Sequence, residues 1–473
     1  MSRAEDAALL RPFRPMLWLV AAAVFMQMLD TTIVNTALPS MAADLGQSPL
    51  RMQSVVVAYA LTVAMLIPAS GWLADRIGTR RLFVAAIVLF SAGSLACALS
   101  QSLDALVASR VLQGVGGAML LPVGRLTVLR AVPRSAFLAA MSFVTVPGLV
   151  GPLIGPALGG WLADVASWHW IFLINLPLGV VGAVAALKWM PDLRAPVARF
   201  DAGGYALLAF GMIAVSLSVE ALSGHAARHA ALVVLLVTGL AALVAYWLHA
   251  ARAAAPLFPL GLFRTRTFSV GLLGNLFARL GSSGMPYMIP LLLQVALGFP
   301  PTQAGLMMVP VAIAGMFSKR IVVPLVQRFG YRNVLVVNTV LTGLTMASFA
   351  LVDAGQPVWL HVVQFAVFGA VNSLQFTAMN TLALRDLSGP EASAGNSLLS
   401  MVMMLAMSLG VATAGGLLGA FSGEPAGEVP MLAAFRWTFV CIGALTLASA
   451  AIFAQLGRTH RIPDRVVDAA DQA

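Results

Sequence analysis

Long apolar stretches follow one another along almost the whole chain, separated by short polar segments. Each stretch is close to the ~20 residues that a helix needs to cross the hydrocarbon core of a bilayer. The pattern predicts fourteen membrane-spanning helices, joined by loops too short for a soluble domain. Their approximate ranges are 15–38, 52–72, 81–100, 103–127, 137–163, 170–190, 203–222, 230–250, 268–295, 303–326, 333–352, 358–383, 394–421 and 434–456.

The composition supports this pattern and excludes a water-soluble fold. Hydrophobic residues make up 60% of the 473 positions, charged residues make up 10%, and the mean hydropathy is +0.91. Such values predict an all-α, polytopic membrane protein. The two cysteines, Cys97 and Cys441, lie in different apolar stretches, so we expect neither a disulfide framework nor a metal cluster.

The basic residues are distributed unevenly between alternate loops. The net charge is +10, yet only Arg51, Arg228 and Arg436 lie on the loops opposite to the tails. Basic loops tend to stay in the cytoplasm, and the predicted number of spans is even. Both tails are therefore predicted to be cytoplasmic, in a multi-pass protein of the bacterial inner membrane. The basic surplus is an orientation signal, and no nucleic-acid partner is expected.

Two longer polar interruptions divide the chain. Residues 191–201 and 249–267 flank a pair of predicted spans, and removing that pair leaves six spans on each side. We therefore predict two six-helix bundles with a two-helix central insert, an arrangement that alternating-access transporters use. The predicted divisions are a cytoplasmic tail (1–14), an N-terminal bundle (15–190), a linker with the two inserted helices (191–267), a C-terminal bundle (268–456) and a second cytoplasmic tail (457–473).

Asp30 is a carboxylate deep inside the first predicted span. An ionised side chain there costs roughly 2.5–3.5 kcal/mol on insertion scales, and such residues usually pair with a partner and mark proton or ion pathways. At ~1.5 Å per residue, Asp30 lies about 22 Å from the inner surface and Arg110 about 10 Å from the outer surface. In a core roughly 30 Å thick, these depths are similar. A proton switch and a static ion pair that only fixes helix packing both remain open.

A loop between the second and third predicted spans carries the first family resemblance. Residues 71–81, GWLADRIGTRR, resemble the loop signature of the major facilitator superfamily, with Thr79 where that family usually has a basic residue. The resemblance implies a conformational latch that holds the two bundles closed on the cytoplasmic side. The residues of this latch are Gly71, Asp75, Arg76, Gly78, Arg80 and Arg81.

Two further segments are similar to motifs of the same superfamily. Residues 110–117, RVLQGVGG, resemble its proton-transfer motif, and residues 151–160, GPLIGPALGG, resemble its antiporter motif. Glycines four residues apart let helices touch through their backbones, and prolines permit bending. On spacing alone, the second segment could also be a generic packing seam. Its candidate residues are Gly151, Gly155, Pro156, Gly159 and Gly160.

The first and sixth predicted spans narrow the resemblance. Residues 29–39, LDTTIVNTALP, look like the first-helix signature of the drug:proton antiporter-2 family, which has fourteen helices. Residues 167–179, SWHWIFLINLPLG, are similar to another element of that family, with His169 in place of its usual Arg. The resemblance implies the major facilitator fold, and it implies that Asp30 and Arg110 couple transport to protons.

Several cations of the second bundle have no partner visible in the sequence. Arg279 lies near mid-membrane in the ninth predicted span, Lys319 and Arg320 lie in the tenth, and no Asp or Glu falls inside the spans of that bundle. Unpaired buried cations are costly, so they either meet carbonyls, amides or water, or they receive an anionic substrate. The candidate substrate cavity contains Asn35, Gln113, Arg279, Asn372, Gln375 and Asn380.

Together these features predict a proton-coupled antiporter of multidrug type that exports small molecules by alternating access. An exporter of an endogenous anionic metabolite or metal chelate, such as an organic acid, is one alternative, and a facilitator or symporter of the same fold is another. The sequence contains no zinc-protease, P-loop or serine-nucleophile motif, so we do not expect an enzyme. We expect a monomer without cofactor or metal, driven by the proton gradient, whose partners are protons, a small-molecule substrate and the lipid bilayer.

Overall fold

The computed structural model describes residues 9–196, 199–221, 229–353, 355–422 and 431–457. Most of both predicted tails (1–8 and 458–473) and the loop 222–228, which contains Arg228, lie outside the described residues. Within the described ranges the chain forms helices joined by short turns and contains no strand. This confirms the all-α membrane class that the hydropathy pattern predicts.

In the described part of the chain, seventeen α-helices follow one another. They are α1 (Arg14–Asp44), α2 (Gln53–Ile77), α3 (Thr79–Ala98), α4 (Leu103–Ala131), α5 (Phe137–Val165), α6 (His169–Leu173), α7 (Asn175–Trp189), α8 (Ala202–Ala221), α9 (His229–Ala250), α10 (Arg266–Ser282), α11 (Met285–Leu291), α12 (Pro301–Met307), α13 (Val309–Ser348), α14 (Val358–Leu384), α15 (Gly389–Ser422), α16 (Met431–Ala448) and α17 (Ala450–Ala454).

Twelve helical stretches among the described residues are long and apolar enough to cross a membrane. The difference from the fourteen predicted spans arises at two places. The predicted tenth and eleventh spans form one stretch, Pro301–Leu351, in which Gly330 interrupts the helix at φ 77° and ψ 157°. The predicted ninth span is broken after Ser282 into α10 and α11. The interruption at Gly330, where glycine tolerates the positive φ, falls in the segment 327–332 that the pattern leaves between the two predicted spans. The break after Ser282 lies inside the predicted ninth span, where Pro286 at the start of α11 lacks a backbone donor.

The helices group into two compact units. The first contains the described residues up to Phe200 together with Pro300–Leu306, and the second contains Asp201–Phe299 and the described residues from Met307 onward. The predicted insert, α8 and α9, groups with the second unit. There the buried hydroxyls of Ser216 and Ser408 lie 2.9 Å apart and join α8 to α15.

The carboxylate of Asp201 connects the two helices of the insert where α8 begins and α9 ends. Asp201 Oδ1 accepts a 2.9 Å hydrogen bond from Gly204 N–H at the start of α8 and lies 2.7 Å from Nε2 of His249 at the end of α9. Its other oxygen accepts from Leu257 N–H at 3.2 Å. Asp201 therefore caps α8, and it also joins α8 to the end of α9 and to the segment that follows α9.

The interior of the first unit positions the predicted proton site. α1 packs along α5 and also contacts α4 and α7, while α3 packs against α4 and α7. A side chain at the middle of α1 is therefore surrounded by other helices instead of lipid. This packing places polar groups from several helices around Asp30.

Candidate functional site

Asp30 lies on α1 in the interior of the first unit and contacts Arg110 directly. Nη1 of Arg110, from α4, lies 2.7 Å from Oδ2 of Asp30. Both residues are only 1% exposed. The two charges that the sequence predicts at similar depths therefore form an ion pair that is shielded from water.

Two amides complete the surroundings of the Asp30 carboxylate. Gln113 Nε2 donates to Oδ1 at 2.8 Å, and Asn175 Nδ2 from α7 donates to the same oxygen at 3.3 Å. Ser94 Oγ of α3 accepts from both amides, at 2.8 and 3.2 Å. Neutral donors can serve an ionised carboxylate and also the carbonyl oxygen of a protonated one. The contacts of Oδ1 are therefore compatible with both protonation states of Asp30.

Arg110 has further partners that do not depend on Asp30. Its Nε donates to the carbonyl oxygen of Val55 at 3.2 Å, and its Nη1 donates to Gln113 Oε1 at 2.5 Å. Its guanidinium carbon lies 4.3 Å from the ring centre of Tyr59 and 5.8 Å from that of Phe172. Aromatic faces stabilise a desolvated cation, so this surrounding supports the charge of Arg110 even without its carboxylate partner.

The sequence predicts Asp30 and Arg110 as the proton-coupling residues and Gln113 as a candidate for the substrate cavity, and the structure brings all three into contact. It does not predict Asn175 or Ser94 as members. Asn175 carries a usable signal, because it is an amide inside an apolar span and lies in the segment 167–179 that resembles a family element. Ser94 carries no comparable signal, since a serine hydroxyl in a helix can also bond its own backbone.

The glycines of residues 151–160 bring α5 into backbone contact with α1. A Cβ atom on Gly151 would lie 2.8 Å from the backbone nitrogen of Leu29, and one on Gly155 would overlap the side chain of Thr32. Real Cβ atoms do not approach so closely, so glycine is required at this interface. Leu29 precedes Asp30, and the glycine surface of α5 therefore lies directly behind the candidate proton site.

The two consecutive glycines of the same segment face different neighbours. A Cβ on Gly159 would overlap the carbonyl oxygen of Ile33 on α1, and a Cβ on Gly160 would overlap the carbonyl oxygen of Pro301. Adjacent residues of a helix point about 100° apart. The pair thus lets two separate chain segments touch the same turn of α5.

Pro156 contributes a backbone acceptor to this contact. Its carbonyl oxygen accepts a 3.1 Å hydrogen bond from Thr36 Oγ1 on α1, and it also lies against Gly305 at the start of the tenth predicted span. The segment 151–160 is therefore a packing seam in this structure. Its suggested part in exchange is a matter of function and stays a prediction here.

The acidic member of the predicted latch has a basic partner. Asp75 Oδ1 lies 2.6 Å from Nη1 of Arg130, at the end of α4, and both side chains are partly exposed. Gly71 and Arg81 of the same motif are exposed. The Asp75–Arg130 ion pair connects the α2 end of the loop to α4 in the first unit.

The other latch residues contact an aromatic ring or the chain that follows α7. The guanidinium of Arg76 lies 5.0 Å from the ring centre of Trp72. Arg80 Nε donates to the carbonyl oxygen of Met190. Gly78 has φ 98° and ψ 143°, a backbone conformation that strongly favours glycine. The turn between α2 and α3 therefore depends on glycine at position 78.

Arg279 lies on α10, within one turn of the break that separates α10 from α11. Its Nε donates to Asn275 Oδ1 at 3.3 Å, which is one of the neutral partners that the sequence suggests, and its guanidinium carbon lies 4.3 Å from the ring centre of Phe376. Its Nη2 is buried and has no hydrogen-bond partner among the described residues. Arg279 therefore has a stabilising environment and one unused donor group.

The amides of the second unit divide into satisfied and unsatisfied groups. Gln375 Oε1 accepts from Asn338 Nδ2 at 2.8 Å, and Gln375 Nε2 donates to Thr339 Oγ1 at 2.6 Å. Asn380 Oδ1 is buried without a partner in the described part of the chain, and Asn372 is partly exposed on the same helix, α14. Gln375 thus belongs to a neutral network between α13 and α14, while Asn380 retains a free acceptor.

Among the remaining candidate residues, Asn35 and Arg320 contact neighbours on their own helix. Asn35 Nδ2 donates to Thr31 O at 3.4 Å within α1, and its Oδ1 is buried without a partner among the described residues. Lys319 is half-buried, while Arg320 is exposed and its guanidinium carbon lies 5.5 Å from the ring centre of Phe317. No group of three His, Cys, Asp or Glu residues with metal-binding geometry occurs among the described residues.

Comparison with known proteins identifies the family. A family model described as the Major Facilitator Superfamily matches residues 20–248 and 271–471. A relative from Serratia proteamaculans is 54% identical over 442 residues, covering 93% of each chain, and one from Yersinia enterocolitica is 51% identical over 466 residues, covering 97% of this chain and 99% of its own. Both relatives carry the name "Putative multidrug resistance protein MdtD". The chain belongs to the major facilitator superfamily, and it is a multi-pass membrane transporter of small molecules, not an enzyme.

Solved structures share the fold at low sequence identity. A POT family transporter in complex with 5-aminolevulinic acid superposes with a TM-score of 0.68 at 17% identity, covering 92% of this chain and 94% of its own. A D-xylose-proton symporter gives a TM-score of 0.66 at 14% identity, covering 95% and 99%. These likenesses establish the major facilitator fold and carry no information on the substrate of this chain.

Proposed function

We propose that this transporter is a proton-coupled antiporter that exports small molecules of multidrug type by alternating access, with Asp30 as the group that carries the proton. The observation that carries the proposal is the buried ion pair between Asp30 and Arg110, 2.7 Å apart and 1% exposed. The relatives named as multidrug resistance proteins support the type of cargo.

The surroundings of the pair suit a group that gains and loses a proton. When Asp30 is protonated, it loses its charge attraction to Arg110 but keeps the hydrogen bonds from Gln113 and Asn175. Arg110 then retains the carbonyl of Val55 and the aromatic rings around it. Removing one charge of a buried pair normally leaves the other uncompensated, so these second partners lower the cost of neutralising Asp30.

Burial of the pair supports coupling to a conformational change. With Asp30 and Arg110 each 1% exposed, a proton reaches the carboxylate only when the helices around it rearrange. In the proposed cycle Asp30 takes a proton from outside, its hold on Arg110 weakens, and the inward-open state is favoured. Substrate from the cytoplasm then displaces the proton inward, so that export and proton entry alternate.

The proposal places the chain in the bacterial cytoplasmic membrane, with both tails in the cytoplasm. It works as a monomer surrounded by lipid and needs no cofactor, because the proton gradient supplies the driving force. The α5 glycine seam behind Asp30 supports exchange as the mode of coupling. A movement of α5 along α1 would act directly on the segment that carries the carboxylate.

The test uses purified protein in proteoliposomes with an imposed pH gradient and a panel of lipophilic dyes and organic anions. The wild type is expected to move substrate against the direction of proton flow, and Asp30→Asn is expected to lose this driven transport while substrate binding stays measurable. The matched control is Asp44→Asn on the same helix, because an Asn there can still accept the hydrogen bond from Trp168. Undiminished pH-driven transport by Asp30→Asn refutes the assignment, and substrate movement in the direction of the protons shows a symporter.

A second candidate function is export of an anionic or zwitterionic metabolite or chelate. It is favoured by Arg279, whose Nη2 has no partner among the described residues and which lies beside the break between α10 and α11. Discontinuous helices are common at substrate sites of transporters. Arg279→Gln should then abolish organic-anion transport, while Arg266→Gln on the same helix should not, because Arg266 is exposed and donates to a backbone carbonyl. Exclusive transport of cations contradicts this candidate.

A further inference from the structure

Thr79, the residue that departs from the superfamily loop signature, is bonded to the chain that leads from α7 toward the insert. Its backbone N–H donates to the carbonyl oxygen of Leu193 at 3.1 Å, and its Oγ1 donates to the carbonyl oxygen of Pro191 at 2.7 Å. The same hydroxyl accepts from Leu193 N–H at 3.0 Å. Thr79 is fully buried. Three hydrogen bonds therefore fasten the linker to the latch loop at a single residue.

The chemistry of this contact requires a hydroxyl. Thr79 Oγ1 is a donor to one backbone group and an acceptor from another at the same time. Lysine and arginine have no acceptor, and valine has neither function. The basic residue that the family signature usually has at this position cannot make the contact. The departure at Thr79 is therefore matched to the linker of this chain.

The residues on both sides of Thr79 contact the same linker. A Cβ atom on Gly78 would overlap the carboxylate of Asp192, so glycine at this position leaves room for the linker. Arg80 Nε donates to the carbonyl oxygen of Met190. Three consecutive residues of the latch motif thus contact all four residues of the segment 190–193.

The far end of the linker is also attached to the latch segment. The ring of Phe200 lies 4.8 Å from the ring of Trp72, the second residue of the motif. The next residue, Asp201, caps α8 and lies 2.7 Å from Nε2 of His249 at the end of α9. The first and last residues of the linker therefore contact the latch motif. The residue that directly follows Phe200 is Asp201, which caps the first helix of the insert.

We propose that the start of the linker, residues 190–193, is a working part of the latch, and that Thr79 is the positioning residue that holds it there. In consequence the chain segment that leads to the two-helix insert is fastened to the loop that moves in the proposed alternating-access cycle. When the loop moves, the linker moves with it or its hydrogen bonds break. Loss of the Thr79 hydroxyl frees the linker and slows the conformational step that limits transport.

The first measurement is amide hydrogen exchange, followed by mass spectrometry, of the purified full-length protein in nanodiscs. Removing two hydrogen bonds from one buried hydroxyl changes a local opening equilibrium by about tenfold. Thr79→Val and Thr79→Ala are therefore expected to accelerate exchange of Leu193 N–H by about tenfold. Thr79→Ser keeps the hydroxyl and is expected to exchange at the wild-type rate. The matched control is Thr238→Val, because Thr238 is exposed and its hydroxyl bonds only within α9.

The second measurement is transport of a dye in proteoliposomes. Thr79→Val is expected to lower the maximal rate severalfold with KM within about twofold of wild type, since a conformational step is slowed and the substrate contacts are unchanged. Thr79→Ser should restore the rate, and Thr79→Lys should behave as Thr79→Val. Thr79→Ala and Thr79→Val both lack the hydroxyl but differ in side-chain volume. A defect of the same size in both variants therefore reflects loss of the hydroxyl and not a packing defect.

The inference is overturned if Thr79→Val leaves Leu193 exchange or the maximal rate at the wild-type value. It is also overturned if Thr79→Ser is as defective as Thr79→Val, or if Thr79→Lys transports normally. The exchange measurement needs no pH gradient and does not involve Asp30. Failure of the proposed proton coupling would therefore leave the exchange result unchanged, and the two hypotheses can fail separately.

Discussion

Gln113 Nε2 donates a 2.8 Å hydrogen bond to Oδ1 of Asp30. The carbonyl oxygen of the same amide accepts from Nη1 of Arg110 at 2.5 Å, so one neutral side chain contacts both members of the ion pair. Gln113 thereby fixes the distance and orientation of the two charged groups. It lies one turn after Arg110 on α4, where residues three apart share a helix face.

Replacing Gln113 with Leu removes a donor from Asp30 and an acceptor from Arg110 inside a buried site. Leaving a buried polar group without its partner costs about 1–3 kcal/mol, and more for charged groups. We expect Gln113→Leu to lower the thermal unfolding midpoint in detergent and to reduce pH-driven transport by about tenfold or more. Gln364→Leu is the control, because Gln364 is half-buried and donates to Ser348 in the second unit. A Gln113→Leu protein with wild-type stability and transport would show that the amide does not hold the pair.

The α1–α5 contact predicts a strong effect of a single methyl group. A Cβ on Gly159 would overlap the carbonyl oxygen of Ile33, whereas a Cβ on Gly182 would lie 3.6 Å from Ile87, an ordinary contact. Overpacking typically costs 1–3 kcal/mol. We expect Gly159→Ala to lower the unfolding midpoint and to slow transport, and Gly182→Ala to leave both near wild type. Equal behaviour of the two variants in the same thermal melts and uptake assays would contradict the close approach.

The base of the insert predicts a pH-dependent contribution to stability. Burial alone raises the pKa of Asp201, but hydrogen bonds from Gly204 N–H, His249 and Leu257 N–H outweigh it, so the pKa lies below its ordinary value. A lowered folded-state pKa stabilises the protein above the unfolded value of about 3.9. This stabilisation is lost as the pH falls through the folded-state pKa.

Unfolding midpoints of the wild type and Asp201→Asn, measured as a function of pH, test this sign. Above about pH 5 the wild type is expected to be the more stable protein, and the difference should shrink as the pH falls below about 4. Asp201→Asn removes the carboxylate and leaves His249 in place, so the difference between the two proteins reports on the carboxylate. A difference that grows on acidification would reverse the assignment.

The Ser216–Ser408 contact predicts that the insert is coupled to α15. Both hydroxyls are buried and 2.9 Å apart. A neutral hydrogen bond contributes about 0.5–1.5 kcal/mol, so a double-mutant cycle with Ser216→Ala and Ser408→Ala should return a coupling energy of that order. The measurement is the free energy of unfolding in mild denaturant. A coupling energy of zero would show that α8 does not depend on this bond for its position.

Much of the fold follows from the hydropathy pattern, because nearly every predicted span corresponds to a helix. The turn at Gly330 agrees with the pattern, because it falls in the segment 327–332 between two predicted spans. The exception is α10, which ends at Ser282 although the hydropathy continues. Hydropathy measures partition into lipid and does not detect such interruptions, which depend on packing against neighbouring helices.

The part of the candidate site that the sequence predicts is the pair of charged residues, because their depths in the membrane and their opposite charges can be read from the sequence. Asp30 and Arg110 follow from two rare charges at matching depth, and the structure places them in contact. Asn175 and Ser94 do not follow, because which face of a helix meets Asp30 depends on the rotation of α3 and α7, which apolar sequence leaves undetermined. Thr79 is visible in the sequence as a departure from the family signature, but its contacts are not. In the structure its hydroxyl both donates to and accepts from the linker backbone.

The two neighbouring glycines at 159 and 160 limit how α5 can move. Turning α5 by one residue in one direction would bring Leu158 against the Ile33 carbonyl, and turning it in the other would bring Trp161 against Pro301. Rotation about the helix axis is therefore blocked in both senses. Sliding along the axis and tilting remain available, because the smooth glycine surfaces offer no ridge to either neighbour. The movements that remain available to α5 in this region are those that keep Gly159 on Ile33 and Gly160 on Pro301.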